Sequence, residues 1–392
     1  MTTILGIVFV LAGLILIHEL GHFLAARSVG VRVDRFSLLF PPRIVSFTPT
    51  SSGWVFRAFF FKKGPSGKVE WAPVVEKVIS RSLSRPTGTE YSVGLVPLGG
   101  YVKMAGTIDE SLDDRIQGSP DELSSKTNLQ QIWVMSAGVV MNLLLAVVVF
   151  SALTLTVGIH EPSDRPTVGQ VVPDFPAAQA GIRAGDTVVA VDGTAVESWE
   201  QMADIIHDRP LETLVVMWRR GEELMSAEVT TRQDRLPLEG KVVEVGVIGI
   251  HPEYKVRTVG LFESVKEGFL RTGAWFGVIV HSLKLIVSGE ASIREIGGPI
   301  LIAQLAGEAA QAGFVDLLFL LAIISVHLAF INLVPIPGLD GGHLLILIVE
   351  SVSRHRISMK ARMIIQQAGM ALLFLLVLVV MYNDLTRVGW LP

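Results

Sequence analysis

The sequence predicts a polytopic α-helical membrane protein with four transmembrane helices, a cytoplasmic membrane-associated β-hairpin and an extracytoplasmic α+β domain. Three observations carry that prediction. Half of the 392 residues are hydrophobic and the mean hydropathy is +0.52, too apolar for an ordinary soluble chain of this size. Four apolar stretches are long enough for a hydrocarbon core about 30 Å thick. The first of them contains His18-Glu19-Leu20-Gly21-His22, an H-E-x-x-H pattern that places ionisable groups where the surroundings are otherwise apolar. A net charge of -4 leaves no basic footprint for a nucleic-acid partner. The absence of cysteine excludes disulfides and Cys-based zinc sites.

The first span covers residues 1–26. Its Met1-Thr2-Thr3 start has no positive charge, which argues against a cleavable signal. On a helix, His18 and His22 share one face, so both rings can reach one Zn2+ while Glu19 addresses a metal-bound water. Each ionisable group at bilayer depth costs about 2.5–3.5 kcal/mol on insertion scales, so three together call for a metal or an aqueous cavity. Residues 27–131 form a cytoplasmic region that opens with Arg27, Arg32, Arg35 and Arg43. Within it, the stretch of about 48–88 carries Trp54, Phe59-Phe60-Phe61 and Lys62-Lys63. That stretch could lie on anionic lipid, form a packed elaboration or bind a partner. Residues 90–104 alternate around Pro97-Leu98-Gly99-Gly100 and predict a β-hairpin. Its free edge could pair with an extended peptide, which makes Gly99, Gly100, Tyr101, Val102 and Lys103 candidate substrate-binding residues; an ordinary surface hairpin is the alternative.

The second span, 132–157, carries Asn142. Residues 158–255 form the outer domain, with a helix at Trp199–His207 and strands around Thr213–Trp218 and Ala227–Thr231. Residues 256–313 follow, and Phe269–Val287 reads as an amphipathic helix on the outer leaflet or over the core, given Arg271, His281 and Lys284. The third span, 314–350, is broken at Asn332-Leu333-Val334-Pro335-Ile336-Pro337-Gly338-Leu339-Asp340-Gly341-Gly342-His343. A basic connector, 351–362, leads to the fourth span, 363–383.

Short basic connectors belong in the cytoplasm. The N-terminus and the outer domain are then outside, and the H-E-x-x-H sits towards the cytoplasmic end of its helix. A zinc site needs a third protein ligand. Asp340 is the best candidate, because irregular backbone at membrane depth is tolerated only where it is buried or lines a wet cavity; His343 competes. A single span between the first and third brings Asp340 to the histidines' side. A further crossing at 269–287 would carry it a membrane thickness away.

These residues resemble the bacterial site-2 proteases, intramembrane zinc metalloproteases of peptidase family M50. The resemblance rests on H-E-L-G-H in the first span, Tyr91-Ser-Val-Gly-Leu-Val-Pro-Leu-Gly-Gly-Tyr-Val-Lys-Met104, Ser136-Ala-Gly with Asn142, and N-x-x-P-x-P-x-x-D-G-G at 332–342. It implies His18, His22 and Asp340 as zinc ligands, Glu19 as the catalytic glutamate, and Asn332 and Pro335 near the substrate. For Asn332 alone, an interhelical hydrogen bond is the plainer role. Phe175–Gly193 resembles the conserved stretch of bacterial PDZ domains, so the outer domain is PDZ-like, a gate or a cap. The implied activity is regulated intramembrane proteolysis in the bacterial inner membrane. Its substrates would be single-span proteins, such as an anti-sigma factor or a remnant signal peptide.

Three departures stand beside the resemblance: one PDZ-like domain where many members carry two, Val139 where Pro is commoner, and an insertion at about 48–88. A metal transporter would need polar residues along several spans, and the second span offers little beyond Asn142. A catalytically silent scaffold or PDZ binding protein would be expected to lose a ligand or the glutamate, and all four are present.

Overall fold

The computed structural model describes residues 2–63, 69–79, 87–96, 99–106, 118–238, 241–292, 296–355 and 357–389. It divides into two compact units, one made of Met1–Leu153 and Leu261–Pro392, the other of Thr154–Gly260.

The first unit opens with helix α1 (Thr2–Ser28). Gly30, at φ 71°, turns the chain back, and strands β1 (Val33–Leu38), β2 (Phe40–Thr50), β3 (Gly53–Lys63), β4 (Val69–Ile79), β5 (Glu90–Val96) and β6 (Tyr101–Met104) follow. They form one sheet in the order β4-β3-β2-β5-β1-β6. This corrects the expected hairpin at 90–104. β5 and β6 do not pair with each other: β1 lies between them, parallel to β5 and antiparallel to β6. The alternation at 90–104 was compatible with a local turn, but β1, which follows α1 closely, takes the place between the two strands and pairs with each. Pro97 and Leu98 lie outside the described residues. Tyr101–Met104 still forms a sheet edge, because β6 is last in the order. The stretch around 48–88 is mostly strand where described, with β3 pairing β2 and β4; residues 64–68 and 80–86 lie outside the described residues.

After a short 3-10 turn comes helix α2 (Asn128–Val157). The second unit then holds β7 (Ile159–Pro162), β8 (Val168–Val171), α3 (Pro176–Gln179), β9 (Thr187–Val191), β10 (Thr194–Ala195), α4 (Trp199–His207), β11 (Thr213–Arg220), β12 (Glu223–Thr230), β13 (Arg232–Leu238), β14 (Lys241–Val247), β15 (Ile250–Pro252) and β16 (Tyr254–Arg257). Its core packs Trp218, Leu214, Val216, Val188 and Val191 of the four-stranded sheet against Met202 and Ile206 of α4. Ser198 caps α4 by accepting from the Gln201 amide.

One buried charge in this unit sets a pH limit. Asp186 is 1% exposed and accepts from Arg220 at 2.7 and 2.8 Å and from the Arg183 amide at 2.8 Å. Burial pushes its carboxyl up, but these donors pull it further down, below its ordinary 3.8. A carboxyl depressed in the folded state stabilises above its unfolded pKa, and that stability is lost as pH falls through the folded value. Protease protection of residues 154–260 in the full chain is therefore expected to weaken below about pH 4. In Asp186→Asn that acid-dependent step should disappear; an unchanged acid profile would count against this carboxylate as its source.

The first unit resumes with α5 (Leu261–Ser288), α6 (Pro299–Ala312), α7 (Phe314–Leu333), α8 (Asp340–Ser353) and α9 (Met359–Arg387). Val10 and Leu14 of α1, Ala146, Phe150 and Leu153 of α2, and Leu317, Leu321 and Val326 of α7 share one apolar core. Among the described residues, five helices, α1, α2, α5, α7 and α9, are long and apolar enough to cross a membrane, by length and composition alone. That is one more than the sequence expectation, and the added one is α5. It packs on the bundle through Gly268 beside Val147 and Ser151, through Trp275 against Phe319, and through Phe276 against Phe330. The segment following it returns to the same end of the bundle. Asp384, in the last turn of α9, accepts from the amides of Gly298, Ile300 and Leu301 and so caps α6. The other end of α6 presses Ala306 and Ala310 against Gly6, at the start of α1.

Candidate metal centre

The spacing of four on α1 turns His18 and His22 towards α2, and glycines let the two helices approach. A Cβ on Gly21 would strike the Ala137 carbonyl, and one on Gly138 would lie on the imidazoles of both histidines. Gly138 is thus a functional position that the sequence argument used only as part of a motif. Its signal was a small residue on an apolar helix, the usual means of close helix approach.

The outward nitrogen of each histidine is held from α2. His22 Nδ1 lies 2.8 Å from the Val134 carbonyl, so Nδ1 carries the proton and Nε2 keeps its lone pair. His18 Nδ1 lies 3.2 Å from the side-chain amide nitrogen of Asn142. The amide oxygen of Asn142, a fully buried residue, has no hydrogen-bond partner in that orientation. Exchanging the two ends of the amide gives His18 Nδ1–H an acceptor and frees Nε2 as a ligand, the tautomer a metal requires. Asn142→Ala is therefore expected to weaken zinc binding by about 10–100-fold, measured by competition with a chelator. Unchanged affinity would remove Asn142 from this role.

Asp340 reaches the same point from the break in the C-terminal helices. Val334 is extended (φ -62°, ψ 134°), as the residue before Pro335 must be, and α7 ends there. Gly338, at φ 100°, reverses the chain. A Cβ on Gly341 would strike the carbonyls of Leu333 and Val334, and one on Gly342 the carbonyl of Ile336. The glycine pair thus lets the first turn of α8 fold against the preceding loop, which sets Asp340 over α1.

His18 Nε2, His22 Nε2 and Asp340 Oδ2 then form a triangle with sides of 3.1, 3.2 and 3.3 Å. A tetrahedral site with metal–ligand bonds of 2.0–2.1 Å has edges of about 3.3 Å, so these atoms match one face of such a tetrahedron. Among the described residues, this is the group of His and carboxylate side chains able to hold a metal ion. Two imidazoles and a carboxylate are the donor types zinc takes, and all three side chains line one cavity.

That cavity, of about 930 Å³, is lined by Glu19, Gly100, Tyr101, Val102, Lys103 and Asn332 as well as the three ligand candidates. Gly99 does not line it; it lies under the Phe40 ring, which leaves no room for a side chain. Pro335 does not line it either and is exposed, whereas Pro337 does line it. His343 is on the cavity wall but outside the triangle. Arg35, another wall residue, donates to the Tyr101 hydroxyl at 3.0 Å and to Glu90 at 2.7 Å, and Arg43 donates to Glu90 as well. Burial raises the Glu90 carboxyl, and the two guanidiniums lower it further, so Glu90 stays ionised and ties the edge strand to β1, β2 and β5.

Comparison with known proteins places these features in one family. The profile of peptidase family M50 matches residues 6–73 and 75–376. A relative from Clostridium acetobutylicum, provisionally named a zinc metalloprotease, is 30% identical over 371 residues, covering 95% of this chain and 94% of that one. Zinc metalloprotease RasP of Oceanobacillus iheyensis is 28% identical over 426 residues, covering 99% of each chain. Among solved structures, the PDZ domain of an SdrC-like protein from Listeria monocytogenes aligns with 24% of this chain and 93% of its own length, at 24% identity and a TM-score of 0.19.

Proposed function

This chain belongs to peptidase family M50, and from that premise we propose that it is an intramembrane zinc endopeptidase cutting single-span membrane proteins. The observation that carries the reading is the tetrahedral-face triangle of His18, His22 and Asp340, opening on a cavity that Glu19 shares.

His18, His22 and Asp340 would hold zinc, which when bound polarises the scissile carbonyl and lowers the pKa of water. Glu19, next to His18 on α1, takes the proton from the attacking water and returns it to the leaving amine. Asn142 and the Val134 carbonyl keep the two histidines in the ligating tautomer. A peptide bond inside a helix is shielded by its own turn, so the substrate must enter extended. β6 supports that step: it is the last strand in the order of the described sheet, and its residues Tyr101, Val102 and Lys103 line the cavity beside Glu19. An extended substrate added to this edge gains backbone hydrogen bonds in place of those it loses on unwinding.

The chain's setting in the bacterial inner membrane follows the same reading, with the N-terminus and the PDZ-like unit outside and the metal site towards the cytoplasm. The return of α6 to the end of the bundle where α1 begins supports four net spans, with α5 adding none. Substrates would be single-span proteins already trimmed outside, such as an anti-sigma factor or a remnant signal peptide. The test is cleavage of a single-span reporter by the full chain in vesicles, before and after chelation. The reading requires cleavage that is lost on chelation and restored by Zn2+; cleavage that persists without metal would overturn it.

A further inference from the structure

On the side away from β6 the sheet grows by two strands, and their connecting end carries aromatic side chains with little protein cover. Phe60 and Phe61 of β3 are 59% and 62% exposed, and Val69, the first residue of β4, is 62% exposed. Trp71 touches both phenylalanines, with ring centroids 5.8 and 5.0 Å away, and its indole N–H donates to the Arg43 carbonyl at 2.6 Å. The cluster is held in place, yet faces outward. Lys62 stands exposed among these residues. At the opposite end of the strands the β2–β3 turn itself is Ser51-Ser52, with the half-buried Trp54 and the exposed Ile79 beside it.

Strand register gives this end its height. β1 starts where Val33 packs with Ala26, near the end of α1, and runs back along the helix. Beside its far end lies Gly100, where a Cβ would sit 2.8 Å from Ile15 and 3.2 Å from Glu19. Phe40 pairs with Val96 and stacks on Tyr101 at this same height. From there β2 runs away and β3 runs back, with Val45 opposite Ala58. Phe60 and Phe61 therefore come level with the start of β2, as the Trp71–Arg43 hydrogen bond also requires. Glu19 lies nine residues before Ser28, about 13 Å along α1. The aromatic end of the sheet thus reaches the depth of the metal site, not of the helix end.

Clustered aromatic rings with a lysine beside them suit the boundary between lipid headgroups and acyl chains, where rings pack on the tails and the ammonium meets phosphate. We propose that the β3–β4 end of the sheet is a second membrane contact. Phe60, Phe61, Val69 and Trp71 sit in the headgroup–acyl boundary of the leaflet nearest the metal site, with Lys62 on anionic phosphate. The proposal rests on the reading of α1 and α2 as membrane spans. It gives the sheet an anchor on the side opposite α1, so that the β6 edge is held at one depth as a substrate is drawn onto it.

The chain has no cysteine, so a single introduced cysteine carries a spin label at one position. Full-length Phe61→Cys, Val69→Cys, Ser52→Cys, Lys77→Cys and Val148→Cys, each with normal zinc content, are reconstituted into phosphatidylcholine vesicles containing phosphatidylglycerol. Collision with oxygen, which concentrates in lipid, is compared with collision with a water-soluble chromium chelate. The expected result is oxygen-dominated collision at 61, 69 and 148 and chelate-dominated collision at 52 and 77. Chelate-dominated collision at 61 and 69, with 148 still in lipid, overturns the proposal and leaves a protein surface as the partner of the cluster. Chelate-dominated collision at 148 as well overturns the reading of α2 as a span, a distinct failure.

Discussion

Glu19→Gln is expected to leave zinc bound and to lower cleavage of a single-span reporter by about 10²–10⁴-fold, the usual contribution of a positioned general acid–base group. Glutamine matches glutamate in size but cannot take a proton, so the variant removes the proton transfer and little else. Glu19 is outside the ligand triangle, which is why metal content should not change. The two measurements together are discriminating: zinc per chain by elemental analysis, and single-turnover cleavage in vesicles. Equal cleavage by the variant would sink Glu19 as the proton carrier. Lost cleavage together with lost zinc would point to a structural fault rather than a chemical one. The inactive, zinc-loaded variant is also the reagent for trapping the substrate, whose identity no residue in the chain states.

Asp340→Asn is expected to release zinc, by more than the approximately 10–100-fold that losing an outer partner of a ligand costs. The carboxylate oxygen lies 3.2 Å from His18 Nε2 and 3.1 Å from His22 Nε2. Asparagine offers a neutral oxygen in its place, and the dication loses the one anionic ligand of the set. His343→Ala is the matched control, because His343 lines the same cavity without joining the triangle. Normal zinc content in Asp340→Asn, with loss in His343→Ala, would transfer the third ligand to His343. Loss in Asp340→Asn alone places it at Asp340.

Much of the candidate site was legible because its signals are local. A spacing of four puts His18 and His22 on one helical face in any context, and charge inside an apolar run is costly enough to demand a purpose. Asp340 was legible for a different reason: prolines and glycines that stop a helix at membrane depth have few tolerated uses. Gly99 and Pro335, which do not line the cavity, show the limit. Both belong to motifs whose neighbours line the cavity, but Gly99 serves the Phe40 ring and Pro335 ends α7, which spacing alone does not separate.

The amino-acid sequence by itself determined that this chain is built of apolar helices around a His-Glu-His half-site, with a Pro/Gly break supplying the third ligand candidate. Periodicity and hydropathy are properties of consecutive residues and need no partner to be read. Only the tertiary structure decided that β1 passes between β5 and β6, that Gly138 and Asn142 of α2 hold the histidines, and that α6 closes back on the start of α1. Each of these depends on which of several chemically equivalent strand edges or apolar faces meet. Sheet hydrogen bonds and apolar packing choose among them by fit across the whole unit, a quantity that no local stretch of residues contains.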